Sequence, residues 1–299
     1  MTAVPASHVR PLDAASMALV VLLCLTWGFN QPAIKLAIHD VPPLIQCAIR
    51  SSLGILIVLG IMRWRGLAVA ARDGTLTAGL AAGLLFGVEF LLIYRGLLYT
   101  TASRAVLFIY LAPFFVVIGA RWLMPGDRFG ALQWTGLLLS FIGMVVAFGL
   151  PTPAADPRQL LGDIMMVGAA AAWAATTLVI KASPLARVSP EKTLLYQLVL
   201  CVPIVTFGAV VFGERVAAMP SAVAFGSLAY QTIVVGTTFS LWFALIVKFS
   251  ASRLSAFTFL TPLFGVAAGH LVLGEPITPA FALAVVLVAG GLILVNRPR

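Results

Sequence analysis

Long apolar runs separated by short polar segments dominate the chain. Each run is roughly 20 residues long, the length of an α-helix that crosses the hydrocarbon core of a bilayer. The ten runs cover approximately residues 15–37, 43–62, 75–98, 102–123, 130–150, 161–181, 192–213, 221–247, 252–273 and 278–296. They show no strand-like alternation and are too long for barrel strands, so they indicate helices that satisfy their own backbone hydrogen bonds. We predict an all-α integral membrane protein with ten transmembrane helices.

The composition leads to the same class of protein. Of 299 residues, 61% are hydrophobic and only 10% are charged, and the mean hydropathy is +1.07. Soluble domains carry roughly 25% charged residues, so a soluble globule is excluded. Three cysteines lie singly in apolar runs and three histidines lie far apart. The sequence therefore predicts no metal site and no cofactor, and without a P-loop or a catalytic constellation it predicts no enzyme.

The basic residues are scattered between the apolar runs, which does not indicate a nucleic-acid partner. Ten crossings place 13 of the 19 Lys and Arg residues on the side of the amino terminus. Only Arg158 and Arg215 fall clearly in loops on the opposite side. Because cytoplasmic loops are enriched in Lys and Arg, we predict that both termini are cytoplasmic.

An internal repeat divides the chain into two five-helix halves. The matched pairs are Trp27 with Trp173 and Lys35 with Lys181 at an offset of 146, and Ala102-Ser103-Arg104 with Ala251-Ser252-Arg253 and Pro113 with Pro262 at an offset of 149. Five is an odd number, so the second half enters the membrane from the opposite side. We predict repeats over residues 1–150 and 161–299 around a central cavity, joined by an extracytoplasmic linker over 151–160. Inverted repeats of this kind are typical of secondary transporters.

These residues, together with Gly274-Glu275-Pro276 after the ninth run, resemble the EamA-type transporters of the drug/metabolite transporter superfamily. Within it the chain is most similar to the YddG-like exporters of aromatic and other neutral amino acids. The resemblance implies a bacterial inner-membrane exporter that works by alternating access on a small-molecule substrate, an amino acid, with a monomer as a plausible state. A carrier of phosphorylated sugars, nucleotide-sugars or another metabolite is the alternative, and a non-transporting membrane scaffold is the second alternative.

Glu89 is the carboxylate that lies well inside an apolar run. An ionisable group at this depth is costly, so it is expected to face a cavity or a partner. In a cavity it could meet the ammonium group of an amino acid or carry a coupling proton. As a structural residue it could pair with Arg95 or Arg104. Arg50, in the second run, receives no role from the sequence.

Aromatic and polar side chains supply the other candidates for the cavity. In the first helix Trp27, Asn30, Gln31 and Lys35 share one face, and each half repeats this pattern of a tryptophan, hydrogen-bonding side chains and a lysine. We expect both lysines to extend toward the membrane interfaces. The predicted substrate-binding residues are Trp27, Asn30, Glu89, Tyr94, Tyr99, Tyr110, Trp173, Thr177, Thr238, Trp242 and Phe257.

Pro113 and Pro262 lie in the middle of the fourth and ninth runs, where a proline removes a helical hydrogen bond and bends the helix. A static bend is one interpretation. A symmetric pair of bending points that opens the cavity to alternate sides is the other, and the recurrence in both repeats favours it.

Small residues recur every three or four positions in two of the runs. The third run carries Gly79, Gly83 and Gly87, and the fifth carries Gly136, Ser140 and Gly143. Small residues allow helices to approach closely in a membrane, so we predict that both faces pack against other helices.

Overall fold

The computed structural model describes residues 12–69, 73–124, 126–150 and 156–297. Within these ranges, ten helical spans are long and apolar enough to cross a membrane, which confirms the predicted fold class. The helices are α1 (Ala14–Ala37), α2 (Pro43–Trp64), α3 (Leu76–Gly96), α4 (Ala102–Ile109), α5 (Ala112–Leu123), α6 (Ala131–Phe148), α7 (Pro157–Ala182), α8 (Pro190–Val211), α9 (Ala222–Lys248), α10 (Ala251–Phe257), α11 (Leu260–Leu273) and α12 (Pro279–Asn296).

The predicted linker over 151–160 is too long. Helix α7 begins at Pro157, four residues before the predicted start of the sixth span. The carboxylate of Asp156 caps it by accepting a hydrogen bond from the backbone N–H of Arg158 at 2.8 Å, and proline suits the first helical position. Apolar character alone does not reveal such a polar first turn. Residues 151–155 lie outside the described part of the chain.

The fourth and ninth spans are each divided into two helices just before their prolines. Residues 110–111 separate α4 from α5, and residues 258–259 separate α10 from α11. At both breaks a backbone N–H, of Leu111 or Phe259, bonds the carbonyl three residues earlier at 3.2 Å instead of the carbonyl four residues earlier. Because Pro113 and Pro262 have no N–H, the helical ladder loses a bond at the same place. The predicted bends are thus interruptions of both spans.

The two halves of the chain interdigitate. Helix α1 packs on α9 and α11, α2 on α8 and α9, α3 on α7 and α8, α5 on α7, and α6 on α12. The internal repeat relates these contacts to one another. When each span is replaced by the equivalent span of the other half, every pair becomes another pair of this set or stays the same pair. The α3–α7 contact, for example, becomes the α9–α1 contact. Each half therefore buries its helices against the other half.

The loops collect at two ends of the bundle, which we name by the chain segments they carry. Residues 38–42, 97–101, 212–221 and 274–278 form the linker end, and the start of α1, residues 183–189, residues 249–250 and the end of α12 form the terminal end. At the linker end Asp40 accepts a hydrogen bond from the backbone N–H of Ser221 at 2.8 Å. Near the terminal end Lys192 forms a salt bridge with Asp73 at 2.7 Å. Polar contacts thus join the repeats at both ends.

The predicted small-residue faces do pack against helices. A Cβ atom added at Gly83 would lie 2.6 Å from the carbonyl oxygen of Tyr196 on α8. One added at Gly136 would lie 2.5 Å from the carbonyl oxygen of Gly291 on α12. Both distances are far below van der Waals contact, so larger residues would separate these helices.

Candidate substrate cavity

A cavity of about 450 Å³ lies between the two repeats and is lined by residues from nine of the ten spans. Its wall reaches the linker end, where Lys35, Leu97, Ser103 and Glu275 line it. No residue of 183–189 or 249–250, at the terminal end, belongs to the described lining. The cavity is therefore open toward the linker end and closed toward the terminal end.

Many of the predicted binding residues meet in this cavity. The ones that line it are Trp27, Asn30, Glu89, Tyr110, Trp173, Thr177 and Trp242, and Pro262 lines it as well. They come from both repeats, as expected of a site between the halves. The side chain of Gln31 lies outside the described part of the structure.

Tyr94, Tyr99, Thr238, Phe257 and Pro113 were predicted for the site or its gate and are not in the lining. Thr238 lies directly behind the wall, where its hydroxyl accepts a hydrogen bond from the indole N–H of Trp27 at 2.9 Å. It therefore orients a cavity residue. Phe257 is a buried core residue. These helices are apolar on all sides, so sequence periodicity does not separate the face toward the cavity from the face toward other helices.

Tyr94 and Tyr99 contact two arginines near the linker end. The guanidinium carbon of Arg50 lies 5.5 Å from the ring centre of Tyr94. Arg95 donates a hydrogen bond to the hydroxyl oxygen of Tyr99 at 2.7 Å. Tyr94 thus lies behind the cavity residue Arg50, and Tyr99 contacts Arg95, which is not in the lining.

One wall of the cavity is a continuous cluster of aromatic rings. Trp27 lies edge-on to Trp242 with ring centres 5.3 Å apart, and its centre is 5.4 Å from that of Phe239. Phe86 joins this group, with its centre 5.8 Å from Phe239 and 4.7 Å from Phe90. Such clusters offer apolar faces that accept aromatic groups edge-on or offset. Phe86, Phe90 and Phe239 were not in the predicted set, although 86 and 90 share a helix face.

A second aromatic cluster closes the cavity toward the terminal end. Tyr110 lies with its ring centre 5.9 Å from Trp173 and 6.1 Å from Phe259. Phe259 continues the contact to Phe141 at 6.4 Å. Tyr110 and Phe259 occupy the two helix breaks. The closed side of the cavity is therefore built on the interrupted spans.

Glu89 faces the cavity and lacks the partners considered from the sequence. It lines the cavity, is only 7% exposed, and forms no salt bridge within 4.0 Å in the described part of the chain. The predicted pairing with Arg95 or Arg104 is wrong, because Arg95 bonds Tyr99 and Arg104 pairs with Asp163. The Glu89 carboxylate therefore has no cation in salt-bridge contact within the described chain, and Arg50, which lines the same cavity, acts on it electrostatically from beyond 4.0 Å.

Asp163 is a second buried carboxylate within the spans, which the sequence prediction missed. It accepts hydrogen bonds from Thr100 at 2.6 Å and from the Arg104 side-chain Nε at 3.1 Å. Asp163 lies inside the span because α7 begins at Pro157, earlier than the apolar pattern indicates. Fully partnered and absent from the cavity lining, Asp163 joins the two repeats structurally.

Arg50 is a charged residue of the cavity to which the sequence analysis assigned no role. It is 4% exposed and lines the cavity. Its guanidinium carbon lies 4.6 Å from the ring centre of Phe90, a cation–π distance. Within the described ranges its one hydrogen bond goes to the Cys47 sulfur at 3.7 Å, and sulfur is a weak acceptor.

The two repeat-related lysines make different contacts. Lys35 forms a salt bridge of 2.8 Å with Glu275 at the mouth of the cavity, where both side chains are about half exposed. Lys181 donates hydrogen bonds to the carbonyl of Ile246 at 2.8 Å and to that of Phe249. The prediction that both lysines simply extend to the interfaces is therefore incomplete, since each one binds a specific partner.

Cysteines and other metal-binding side chains do not converge on the cavity. Cys24, Cys47 and Cys201 are free and buried. Within the described ranges, no group of three His, Cys, Asp or Glu side chains could hold a metal ion. The charged chemistry of the cavity is thus that of its arginine, lysine and glutamates.

Comparison with known proteins identifies the family to which this architecture belongs. The sequence matches the EamA-like transporter family twice, over residues 14–149 and 160–297. The chain belongs to this family. As an EamA-like transporter it is a multi-pass membrane protein whose ten spans are those described above.

Relatives of this EamA-like transporter align over nearly the whole chain. One from Bacillus subtilis (strain 168), named "Uncharacterized transporter YoaV", is 23% identical over 283 residues, which cover 92% of this chain and 94% of the relative. One from Escherichia coli (strain K12), named "Probable amino-acid metabolite efflux pump", is 23% identical over 295 residues and 92% of each chain. A solved structure titled "Crystal structure of protein" matches with a TM-score of 0.78 at 19% identity, covering 94% of this chain and 96% of that chain. At this identity the structural likeness shows the fold.

Proposed function

We propose that this EamA-like transporter exports amino acids, aromatic and other neutral ones, across a bacterial inner membrane by alternating access. The observation that carries the proposal is the Glu89 carboxylate, which faces an aromatic-lined cavity without a salt-bridge partner in the described chain. A volume of about 450 Å³ falls in the range of small-molecule sites and accommodates an amino acid.

The ammonium group of an amino acid fits the acceptors in this cavity. Glu89 supplies a negative charge, and Asn30 lines the same cavity with a side-chain oxygen that is buried without a hydrogen-bond partner among the described residues. Leaving such a buried acceptor unsatisfied costs about 1–3 kcal/mol, which a bound donor would recover. The faces of Trp27 and Phe239 would receive an apolar or aromatic side chain.

Charge balance disfavours the phosphorylated substrates that were considered as an alternative. The described lining holds two cations, Lys35 and Arg50, and two anions, Glu89 and Glu275. Lys35 is already paired with Glu275. A phosphate carries at least one negative charge and would be repelled by Glu89, whereas a net-neutral amino acid matches this balance. The name of the Escherichia coli relative also supports an amino-acid metabolite.

Alternating access is supported by the asymmetry of the cavity. It is open at the linker end and closed by the cluster around Tyr110 and Phe259, which lie at the two helix breaks. Bending at the breaks before Pro113 and Pro262 would move these rings apart. A non-transporting scaffold has no need for a charged cavity between inverted repeats.

Uptake into liposomes that hold the purified protein tests the proposal. The panel contains radiolabelled phenylalanine, leucine, glucose 6-phosphate and uridine, with protein-free liposomes as the control. We expect uptake of phenylalanine and leucine, driven by a gradient of the same unlabelled amino acid. Uptake of the phosphosugar with none of the amino acids would overturn the proposal, and so would the absence of any flux.

A further inference from the structure

Arg50 is a buried cation with a vacant hydrogen-bonding surface. A guanidinium carries five N–H donors, and among the described residues the one hydrogen bond of Arg50 goes to the Cys47 sulfur at 3.7 Å. Its Nε is buried and has no hydrogen-bond partner in the described part of the chain. A cation at this depth needs an anion, and no carboxylate forms a salt bridge with Arg50 within 4.0 Å in the described chain.

Arg50 and Glu89 line the same cavity without forming a salt bridge with each other. Two opposite charges that border one cavity but do not meet create a dipolar site. An α-amino acid carries its carboxylate and its ammonium group on the same α-carbon and would neutralise both charges at once. Arg–carboxylate hydrogen bonds are charge-assisted and often bidentate, so they are among the strong ones.

We infer that Arg50 binds the α-carboxylate of the substrate while Glu89 binds its ammonium group, so that the cavity selects free, zwitterionic α-amino acids. This inference rests on the proposed function and deepens it. Phe90 holds the guanidinium in place, with 4.6 Å between its ring centre and the guanidinium carbon. Amines without a carboxylate and acids without an ammonium group are then poor substrates.

Competition in liposomes tests this assignment. The exchange of labelled phenylalanine is measured in the presence of one of three unlabelled competitors. They are phenylalanine itself, phenethylamine, which lacks the carboxylate, and 3-phenylpropanoate, which lacks the ammonium group. For the wild type we expect each analogue to inhibit at least tenfold more weakly than phenylalanine. In Arg50→Gln, inhibition by unlabelled phenylalanine should weaken to the level seen with phenethylamine, whereas inhibition by phenethylamine should stay the same.

Arg50→Lys is the second variant, because loss of a buried cation could impair folding. It keeps the charge but loses the planar fork, so phenylalanine should bind severalfold more weakly and phenethylamine as before. Melting temperatures of both variants show whether the protein is folded. A folded Arg50 variant that keeps the full preference for phenylalanine over phenethylamine overturns the inference while leaving amino-acid transport intact. A wild type without amino-acid uptake overturns the proposed function itself.

The internal repeat carries a second, independent inference, which concerns how the cavity closes. Two sets of contacts join the elements at the closed terminal end. Lys181 binds the carbonyls of Ile246 and Phe249. Asp127 accepts hydrogen bonds from the Ser250 hydroxyl at 2.5 Å and from the Ser252 backbone N–H at 3.2 Å.

Every one of these groups has a counterpart at the open linker end. At the offsets of 146 and 149 the counterparts are Lys35, the carbonyls of Leu97 and Thr100, the Thr101 hydroxyl and the Ser103 backbone N–H. Glu275 matches Asp127 at an offset of 148, where Gly274-Glu275 aligns with Gly126-Asp127. Thr101 and Ser250 also play the same local role, since each caps its helix by accepting a hydrogen bond from the N–H of an arginine three residues later. At the linker end, however, Lys35 binds Glu275 and the cavity is open beside them.

We propose that closing the linker end moves Lys35 onto the carbonyls of Leu97 and Thr100, while Glu275 accepts hydrogen bonds from Thr101 and Ser103. The Lys35–Glu275 salt bridge is then specific to the state open at the linker end. Lys181 and Asp127 release their partners in the same step, which opens the terminal end.

Accessibility of a single cysteine at Ala102, which lines the mouth of the cavity, reports the state. Lys181→Met removes contacts of the closed terminal end, so it should favour the opposite state and slow modification of this cysteine by a charged thiol reagent severalfold. Adding Lys35→Met removes the contacts proposed to lock that state. It also removes the Lys35–Glu275 salt bridge of the other state, which contributes less because both side chains are half exposed to water, so the rate should recover. Lys181→Arg is the conservative control and should react like the parent. Unchanged modification in Lys181→Met, or no recovery in the double variant, would overturn the proposal.

Discussion

Two adjacent glycines on α12 allow a sharp test of the helix packing. Gly291 faces α6, and a Cβ atom added there would lie 2.5 Å from the carbonyl oxygen of Gly136 and 2.8 Å from the backbone nitrogen of Ser140. The atom nearest to a Cβ added at Gly290 would be a Leu139 methyl carbon at 3.7 Å, which is ordinary contact. Alanine at either position brings a similar gain in helix propensity, so the difference between the two variants isolates the clash.

The expected difference is about 1–3 kcal/mol in the free energy of unfolding, the usual cost of overpacking a well-packed interior. Backbone atoms cannot turn aside as a flexible side chain can, so α6 and α12 must separate to admit the extra methyl group. The gain in helix propensity of up to about 1 kcal/mol offsets only part of this cost. We therefore expect Gly291→Ala to be less stable than the wild type and Gly290→Ala to be equal to it or slightly more stable.

Thermal unfolding of the two variants in the same detergent measures the difference. The melting temperature of Gly291→Ala should lie below that of Gly290→Ala at every detergent concentration tested. Equal melting temperatures would refute the close approach of α6 and α12 on which the packing argument depends.

Three further predictions concern the gate, the topology and the Lys192–Asp73 salt bridge. Replacing both Pro113 and Pro262 with alanine should slow flux severalfold at unchanged melting temperature, whereas unaltered flux would leave only a static bend. A cysteine at Asp156 should react with an impermeant reagent in intact cells while one at the carboxy terminus stays protected; the reverse pattern would invert the topology. A hydrogen bond from Lys192 holds the pKa of Asp73 at about 2, below its unfolded value of about 3.9, so this contact stabilises the fold at neutral pH and is lost as the pH falls from about 4 to about 2. Asp73→Asn should flatten the fall in melting temperature over that range, and an identical fall in both proteins would assign it to other carboxyl groups.

The sequence predicted those features that depend on local pattern. Span number follows from the length of apolar runs, and the breaks near Pro113 and Pro262 follow from the missing backbone donor. The close approach at Gly136 follows from small residues at helical spacing. None of these requires knowledge of which helices are neighbours.

The features that were missed depend on contacts between distant segments. Arg104 and Asp163 are 59 residues apart, and nothing local to either one indicates the other. Arg50 acquires its role from the cavity that it shares with Glu89. Thr238 is a repeat counterpart of Glu89, yet its hydroxyl orients Trp27 from behind the wall. In helices that are apolar all round, the direction of a side chain is set by packing and is not visible in the sequence.

Transport by Glu89→Gln tests the central claim most directly. The substitution keeps shape and hydrogen-bonding capacity and removes the charge proposed to bind the ammonium group. Flux of phenylalanine into liposomes and the melting temperature are measured on the same preparation across a range of pH, with Glu214→Gln, a carboxylate outside the described cavity lining, as the matched control. We predict that Glu89→Gln keeps its melting temperature, loses flux severalfold and retains a residual flux nearly independent of pH. Normal stability together with normal flux at every pH would contradict a role for Glu89 both in binding the substrate and in carrying a proton.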